Sequence, residues 1–473
     1  MNNKKTIYKK YFYNLNLILT KLNNKFLFYI PDLYKRDLRK DKISIIKVNF
    51  KFFKSLFKKN YLYDNYKKTI DAEICFISHY VGNVDANVDL DFYYGSLFRN
   101  LNKKISLSVI LINHTNESLK EVKEKFKLSN INRIYVDNDF NLITDVIILI
   151  KILKEYALFI IYKFLNYKKF NKISAKYNFS LFFNARYTFK LTLKIINILD
   201  RCKNLKNLVT TFEGHAFEKI IFKYCKEKKI KSFGYFFSVI REYKNSIYFK
   251  FNNCYQPDLV LTSGLHSRND LQKNSPFKKN VAILGSNKCA SKVMPLHILK
   301  NKKKISILVC PEGLYSETLS MLKLINNKLL EINNIYFIFR THPLINIVRD
   351  FSENIINKNI IFSKEANIKK DFKSCDMILY SGSSACIEAT MNGLIPINYK
   401  IEKFFSYDPL YKVNKFIVAD QQQLYNIILQ IKKNKFNNNL TNKIKKIQLY
   451  CKLYFQKLNQ QSLLKNLCLK KEI

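Results

Sequence analysis

Four short stretches carry side chains suited to acid–base or phosphate chemistry. In residues 210–219, TTFEGHAFEK, an apolar run ends at Glu213, Gly214 permits a sharp exit, and His215 opens a helical stretch. A carboxylate so placed can take the proton of an attacking acceptor hydroxyl, with His215 or Glu218 orienting it on the acceptor side. The plainer alternative is an acid in the first turn of a helix. In residues 335–343, IYFIFRTHP, the proline holds His342 extended at the end of an apolar run. With Arg340 and Thr341 beside it, that imidazole can carry positive charge near neutral pH and donate a hydrogen bond to a phosphate. The bland alternative is a turn histidine.

In residues 380–389, YSGSSACIEA, an apolar run turns at Gly382 and enters a helix at Ser383 and Ser384. Two hydroxyls and the first amides of a helix make an anion site, or simply a serine cap. Glu388 follows Ser384 by four residues, one turn along the same face, where it would accept from ribose hydroxyls. Residues 310–317, CPEGLYSE, place Glu312, Gly313 and Ser316 in a loop after another apolar run, as a secondary binding element in which Ser316 also suits a helix cap.

These stretches need strands and helices to hold them. Short apolar runs at 73–79, 105–113, 133–139, 207–214, 230–237 and 258–264 alternate with helical stretches, the pattern of a parallel sheet covered on both faces. After 280–288 and a lysine-rich connection, a second series runs through 305–310, 335–343, 359–363, 376–382 and 394–399. The chain is therefore expected to be α/β. Its segments are expected to be a basic aromatic extension (1–70), a first Rossmann-like domain (71–290), on which an acceptor would sit if the chain proves a transferase, a second Rossmann-like domain (291–435), which would then take the nucleotide-sugar, and a closing helix (436–473).

Composition narrows the class. A chain of 473 residues is too long for one core. The net charge of +46 suits an anionic partner such as a membrane or polyanion, or reflects drift of solvated faces toward lysine. The ten cysteines form no C-x-x-C pair, and several lie in apolar runs, as in a reducing cytoplasmic compartment. The stretch at 146–165 contains Lys151, Lys154, Glu155 and Lys163 and reads as a buried or interface-lying helix rather than a membrane span.

The nine glycines are spaced at least eleven positions apart, which rules out G-x-G-x-x-G, the P-loop and the G-x-S-x-G elbow. Two Rossmann-like halves without those motifs leave, among common nucleotide users, transferases that take a sugar from a nucleotide across an interdomain cleft. Two D-x-D triplets, at 89–91 and 137–139, offer a metal-dependent alternative.

Glu213-Gly214, His342-Pro343 and Ser383-Ser384 together resemble the three short motifs of bacterial GT-B sialyltransferases and polysialyltransferases. Phe212 stands where that pattern has its first acid. More broadly, TFEGHAFEK with PEGLYSE is similar to a family of bacterial surface carbohydrate biosynthesis proteins. The resemblance implies a GT-B architecture, two Rossmann-like domains facing across a cleft. It also implies Glu213 as general base, His342 assisting the departing phosphate, and Ser383 and Ser384 gripping it, with Arg340, Gly382, Glu388, Glu312, Gly313 and Ser316 on the donor side.

The expected activity is transfer of a sugar from a nucleotide-sugar to a surface polysaccharide or lipid-linked glycan, with inversion and without a metal or other cofactor. A nucleotide-sugar epimerase, a polyol-phosphate transferase and a non-catalytic basic glycan- or membrane-binding protein are the alternatives. The expected partners are the donor, the glycan acceptor and an anionic membrane touched from the cytoplasm, with no nucleic acid.

Overall fold

A computed structural model of the chain describes residues 61–82, 88–115, 117–137, 142–165, 178–240, 246–248, 250–290, 292–296, 304–327, 330–331, 334–342, 357–365, 367–401, 408–433 and 438–467. Two parallel sheets organise it. The first contains β1 (Tyr61–Tyr63), β2 (Ile74–Tyr80), β3 (Leu107–Asn113), β4 (Arg133–Val136), β5 (Asn207–Thr211), β6 (Lys231–Phe236), β7 (Leu259–Thr262) and β8 (Val281–Ile283). Their order is β1-β4-β3-β2-β5-β6-β7-β8. Every pairing is parallel except β1 with β4.

The apolar character of these strands follows from cover on both faces. β3 is buried at every position. Successive residues of β2 feed opposite cores: Phe76 joins Phe98, Val109 and Tyr235, while Ile77 joins Ile110, Ile195 and Ile221. The helices of this lobe are α1 (Tyr66–Ile70), α2 (Leu97–Asn102), α3 (Leu119–Lys125), α4 (Leu142–Leu165), α5 (Asn178–Leu199), α6 (Ala216–Glu227) and α7 (Leu265–Asn274).

The second sheet contains β9 (Ile305–Cys310), β10 (Ile335–Phe339), β11 (Ile360–Phe362), β12 (Met377–Tyr380), β13 (Ile395–Tyr399) and β14 (Phe416–Val418). Its order is β11-β10-β9-β12-β13-β14, parallel throughout. Its helices are α8 (Tyr315–Ile325), α9 (Ile368–Ser374), α10 (Ala385–Met391), α11 (Gln421–Lys433), α12 (Asn438–Lys452) and α13 (Gln460–Asn466). Strand order reverses between β2 and β5 in the first sheet and between β9 and β12 in the second. At such switch points, the crevice beyond the carboxyl ends of the strands is where open α/β sheets bind ligands.

The end of the chain belongs to both lobes. Ile444, Ile447 and Cys451 of α12 lie in the second core, whereas Leu463 of α13 and Leu467 just beyond it lie in the first. Between the two helices, the Gln456 amide donates to the Ser263 carbonyl at 2.9 Å and the Asn459 amide to Leu284 at 2.8 Å. The first sheet takes in β1 and so starts before residue 71. The 436–473 segment holds two helices, one on each lobe.

Among the described residues, no helix is long and apolar enough to cross a membrane. α4 nonetheless runs with much of its apolar surface open: Ile150 is 62% exposed and Phe164 82%. Much of its described apolar surface is thus exposed, which departs from the buried helix that was one of the two expectations for this stretch.

Candidate functional site

In the first lobe the site grows from the end of β5. Phe212 points inward, edge-on to Phe222 and Phe277, so the position at which the chain departs from the resembled motif is a packing position. Gly214 turns the chain with φ +85°. The buried carboxylate of Glu218 then gathers the turn, accepting the backbone N–H groups of Glu213 at 3.1 Å, Gly214 at 2.8 Å and His215 at 2.7 Å. Burial pushes its carboxyl up to about 7. With no exposed surface, Glu218 shapes the loop and does not reach an acceptor.

Glu213 is the acid that faces outward. Its Oε1 accepts from the Ser238 hydroxyl, and its Oε2 lies 3.4 Å from His215 Nε2. Its side chain is 14% accessible. Ser238 follows β6, and the next two residues, Val239 and Ile240, are buried in the core of the second lobe. The carboxylate therefore stands where the two lobes meet.

Two histidines missed by the motif search lie at this edge. His79 is near the end of β2 and His114 directly follows β3. His79 Nδ1 is 2.8 Å from His114 Nε2, and its Nε2 is 2.8 Å from Thr211 Oγ1. Desolvation among the neighbouring rings, then the nearby charge of His215, lowers the His114 pKa, although the residue keeps an exposed edge. Tyr93 lies edge-on to His79 and to Phe237, and Phe217 is stacked with His215. Glu213 thus faces a group of imidazoles and aromatic rings, a surface fit for the hydroxyls and C–H faces of a sugar. Inspecting each strand end beside the switch point would have found both histidines.

The second lobe repeats the device. The Glu312 amide donates to Glu317 Oε2 at 3.2 Å, as that of Glu213 does to Glu218, within the same E-G-x-x-x-E spacing. Gly313 has φ +101°, and a Cβ there would lie 2.8 Å from Cγ of His342. The CPEGLYSE and IYFIFRTHP stretches are thereby brought side by side; Pro343 lies outside the described residues. Ser316 is the second residue of α8, whose cap is Leu314, so it is not the helix cap that the sequence suggested.

Arg340 is committed elsewhere: its Nη1 lies 2.6 Å from Asp371 Oδ2 and 2.8 Å from the Glu365 carbonyl, bracing β10 against α9. Gly382 is buried and is not among the positive-φ glycines. The Ser383 hydroxyl accepts the Ala385 amide at 3.3 Å, and Ser384 begins α10. Glu388, one turn on, is largely buried, and burial raises its pKa. Lys288, not singled out in the sequence, lies 3.2 Å from Ser384 Oγ and 3.7 Å from Glu388 Oε1.

The three described D-x-D acids are bonded within the first lobe. Asp137 pairs with buried Lys194 at 2.8 Å. Asp89 accepts from Ser129 and Asn130, and Asp91 from Ser78 and the amides of Tyr93 and Tyr94. Asp139 lies outside the described residues.

No protein-family model matches the chain, and no curated protein matches it significantly. Among solved structures it is similar to the glycotransferase of kitacinnamycin, with 7% identity and a TM-score of 0.50 over 84% of this chain and 99% of that one. It is also similar to a putative UDP-N-acetylglucosamine 2-epimerase from Listeria monocytogenes, with 12% identity and a TM-score of 0.51 over 84% and 97%. At such identities the likeness speaks of architecture: the chain has the two-lobed α/β fold of GT-B enzymes.

Proposed function

We propose that the protein is a glycosyltransferase that moves a sugar from a nucleotide-sugar to a surface polysaccharide or lipid-linked glycan. The acceptor oxygen bonds to the anomeric carbon as the bond to phosphate breaks; Glu213 takes the acceptor proton and the nucleotide leaves with the bonding pair. One base and no covalent intermediate give inversion. His342, Ser383 and Ser384 hold the departing phosphate and Glu388 the ribose. Glu312, Gly313 and Ser316 border that site, with Gly313 seating the imidazole. His215 orients Glu213, Glu218 shapes its loop, and Arg340, held by Asp371, fixes the end of β10.

The observation that carries this reading is the position of Glu213, pinned by Ser238 at the junction of the lobes and beside the switch point of its sheet. The fold likeness to a putative epimerase favours a second reading, epimerisation of a nucleotide-sugar in the same crevice. A panel of CMP-, UDP-, GDP- and CDP-linked sugars separates them. At ligand near 100 times Kd, the cognate donor stabilises the fold by about 2.7 kcal/mol, seen as a raised Tm. Product then appears only when a glycan acceptor is added, and EDTA leaves the rate unchanged. A changed sugar released without acceptor establishes the epimerase instead.

The workplace is proposed to be an anionic membrane surface. Ile150, Leu153, Ile161 and Phe164 of α4 are exposed beside exposed Lys154, on a chain of net charge +46. Cosedimentation with phosphatidylglycerol vesicles is expected, with weaker binding to phosphatidylcholine and release at about 1 M salt, where the Debye length is near 3 Å. Equal binding to both lipids overturns it.

A further inference from the structure

Resting on the donor-binding reading above, we propose that Lys288 is the first lobe's contribution to the donor site, a cation that neutralises the nucleotide's phosphate and leaves Glu388 to the ribose. Lys288 follows β8, yet its ammonium lies against residues of the second lobe. Its backbone is fixed before any ligand arrives. The Ser286 amide donates to the Gln456 carbonyl at 2.7 Å, the Lys288 amide to Ser286 Oγ at 3.1 Å, and the Cys289 amide to the Ser286 carbonyl at 3.2 Å. The Asn287 side chain is tied to the Phe92 carbonyl at 2.8 Å. From this clamp the lysine stem passes the ring of Phe455, with its ammonium 5.9 Å from the ring centre.

The charges show why a cation is needed here. A phosphate at Ser383 and Ser384 would meet Glu388, a mostly buried carboxylate one turn along the same helix, and like charges at that range repel. Lys288 stands beside both the serine and the carboxylate, at 3.2 and 3.7 Å. The ammonium has three donors, enough to bond Ser384 and a phosphate oxygen together. In the unliganded protein it offsets the Glu388 charge; with donor bound it turns to the phosphate, and the carboxylate accepts ribose hydroxyls instead. The sequence conceals this because a lysine in a loop of so basic a chain has no signature.

The test is calorimetric titration of UDP, CDP, GDP and CMP, the matching nucleosides and inorganic pyrophosphate into wild type, Lys288→Met, Lys288→Arg and Glu388→Gln. Methionine keeps most of the apolar stem and removes the charge. The cognate nucleotide is expected to bind Lys288→Met at least about tenfold more weakly, the scale of a lost charge-assisted bond, and Lys288→Arg within about threefold. The nucleoside is expected to bind all lysine variants alike. Glu388→Gln should move the two ligands oppositely, tightening pyrophosphate and weakening the nucleoside. Undiminished nucleotide binding by Lys288→Met, or equal loss of nucleoside and nucleotide, overturns the assignment while leaving the donor reading intact. A wild type that binds pyrophosphate and no nucleotide sinks both.

Discussion

Glu213→Gln is expected to lower turnover about 10²- to 10⁴-fold, the usual worth of a general base, while nucleotide affinity stays within about twofold. The substitution is nearly isosteric, and its amide oxygen can still accept from Ser238, so the loop and the lobe junction should survive. What disappears is the capacity to hold a proton. Initial rates at saturating donor and acceptor, set beside a nucleotide titration of the same variant, measure the two quantities separately. If turnover and nucleotide affinity fall together, Glu213 is a structural residue of the junction and the chemistry lies elsewhere.

Gly313→Ala carries the second large effect because two penalties act on one atom. A φ of +101° is strained for any L side chain, at a cost of about 1–2 kcal/mol, and the new methyl would lie 2.8 Å from the imidazole of His342. A loss of that size lowers the Tm by about 2–8 °C, and the displaced ring lowers turnover toward that of His342→Ala. Placing Gly313→Ala in a His342→Ala background removes the steric term and leaves the backbone term. The alanine should then destabilise less than it does in wild type. A double-mutant cycle of thermal unfolding reads the difference, and strict additivity would mean that loop and imidazole are not in contact in solution.

Much of the scaffold was legible because its central strands are covered on both faces and so stand out as unbroken apolar runs. β1 and β14 escaped notice for the opposite reason. Each is a three-residue edge strand, one beside basic aromatic sequence and the other in mixed surroundings. The motifs at 213, 313, 342 and 383 were legible because each directly follows a strand, a relation that local sequence preserves.

The roles of individual acids were less accessible. Glu213 and Glu218 flank the start of one helix in sequence, and only the fold turns one outward and buries the other against three amides. Arg340 looks like a phosphate ligand until Asp371, 31 positions away, is seen to hold it. His79 and His114 are 35 positions apart and become neighbours only because β2 and β3 pair. Such relations are created by sheet order, which no window of sequence contains.

Among the described residues the chain joins its lobes after β8 and again after α12, and these two passages lie side by side, joined where the Ser286 amide meets the Gln456 carbonyl. A single strand of connection would let the halves twist and splay in any direction. A doubled one acts like the paired hinges of a door, admitting swing about one line and resisting torsion. Lys288 is mounted two residues from that pivot, where the arc of any swing is shortest. Its ammonium, 3.2 Å from Ser384 Oγ, thus lies beside the joined passages rather than out along the rims of the halves.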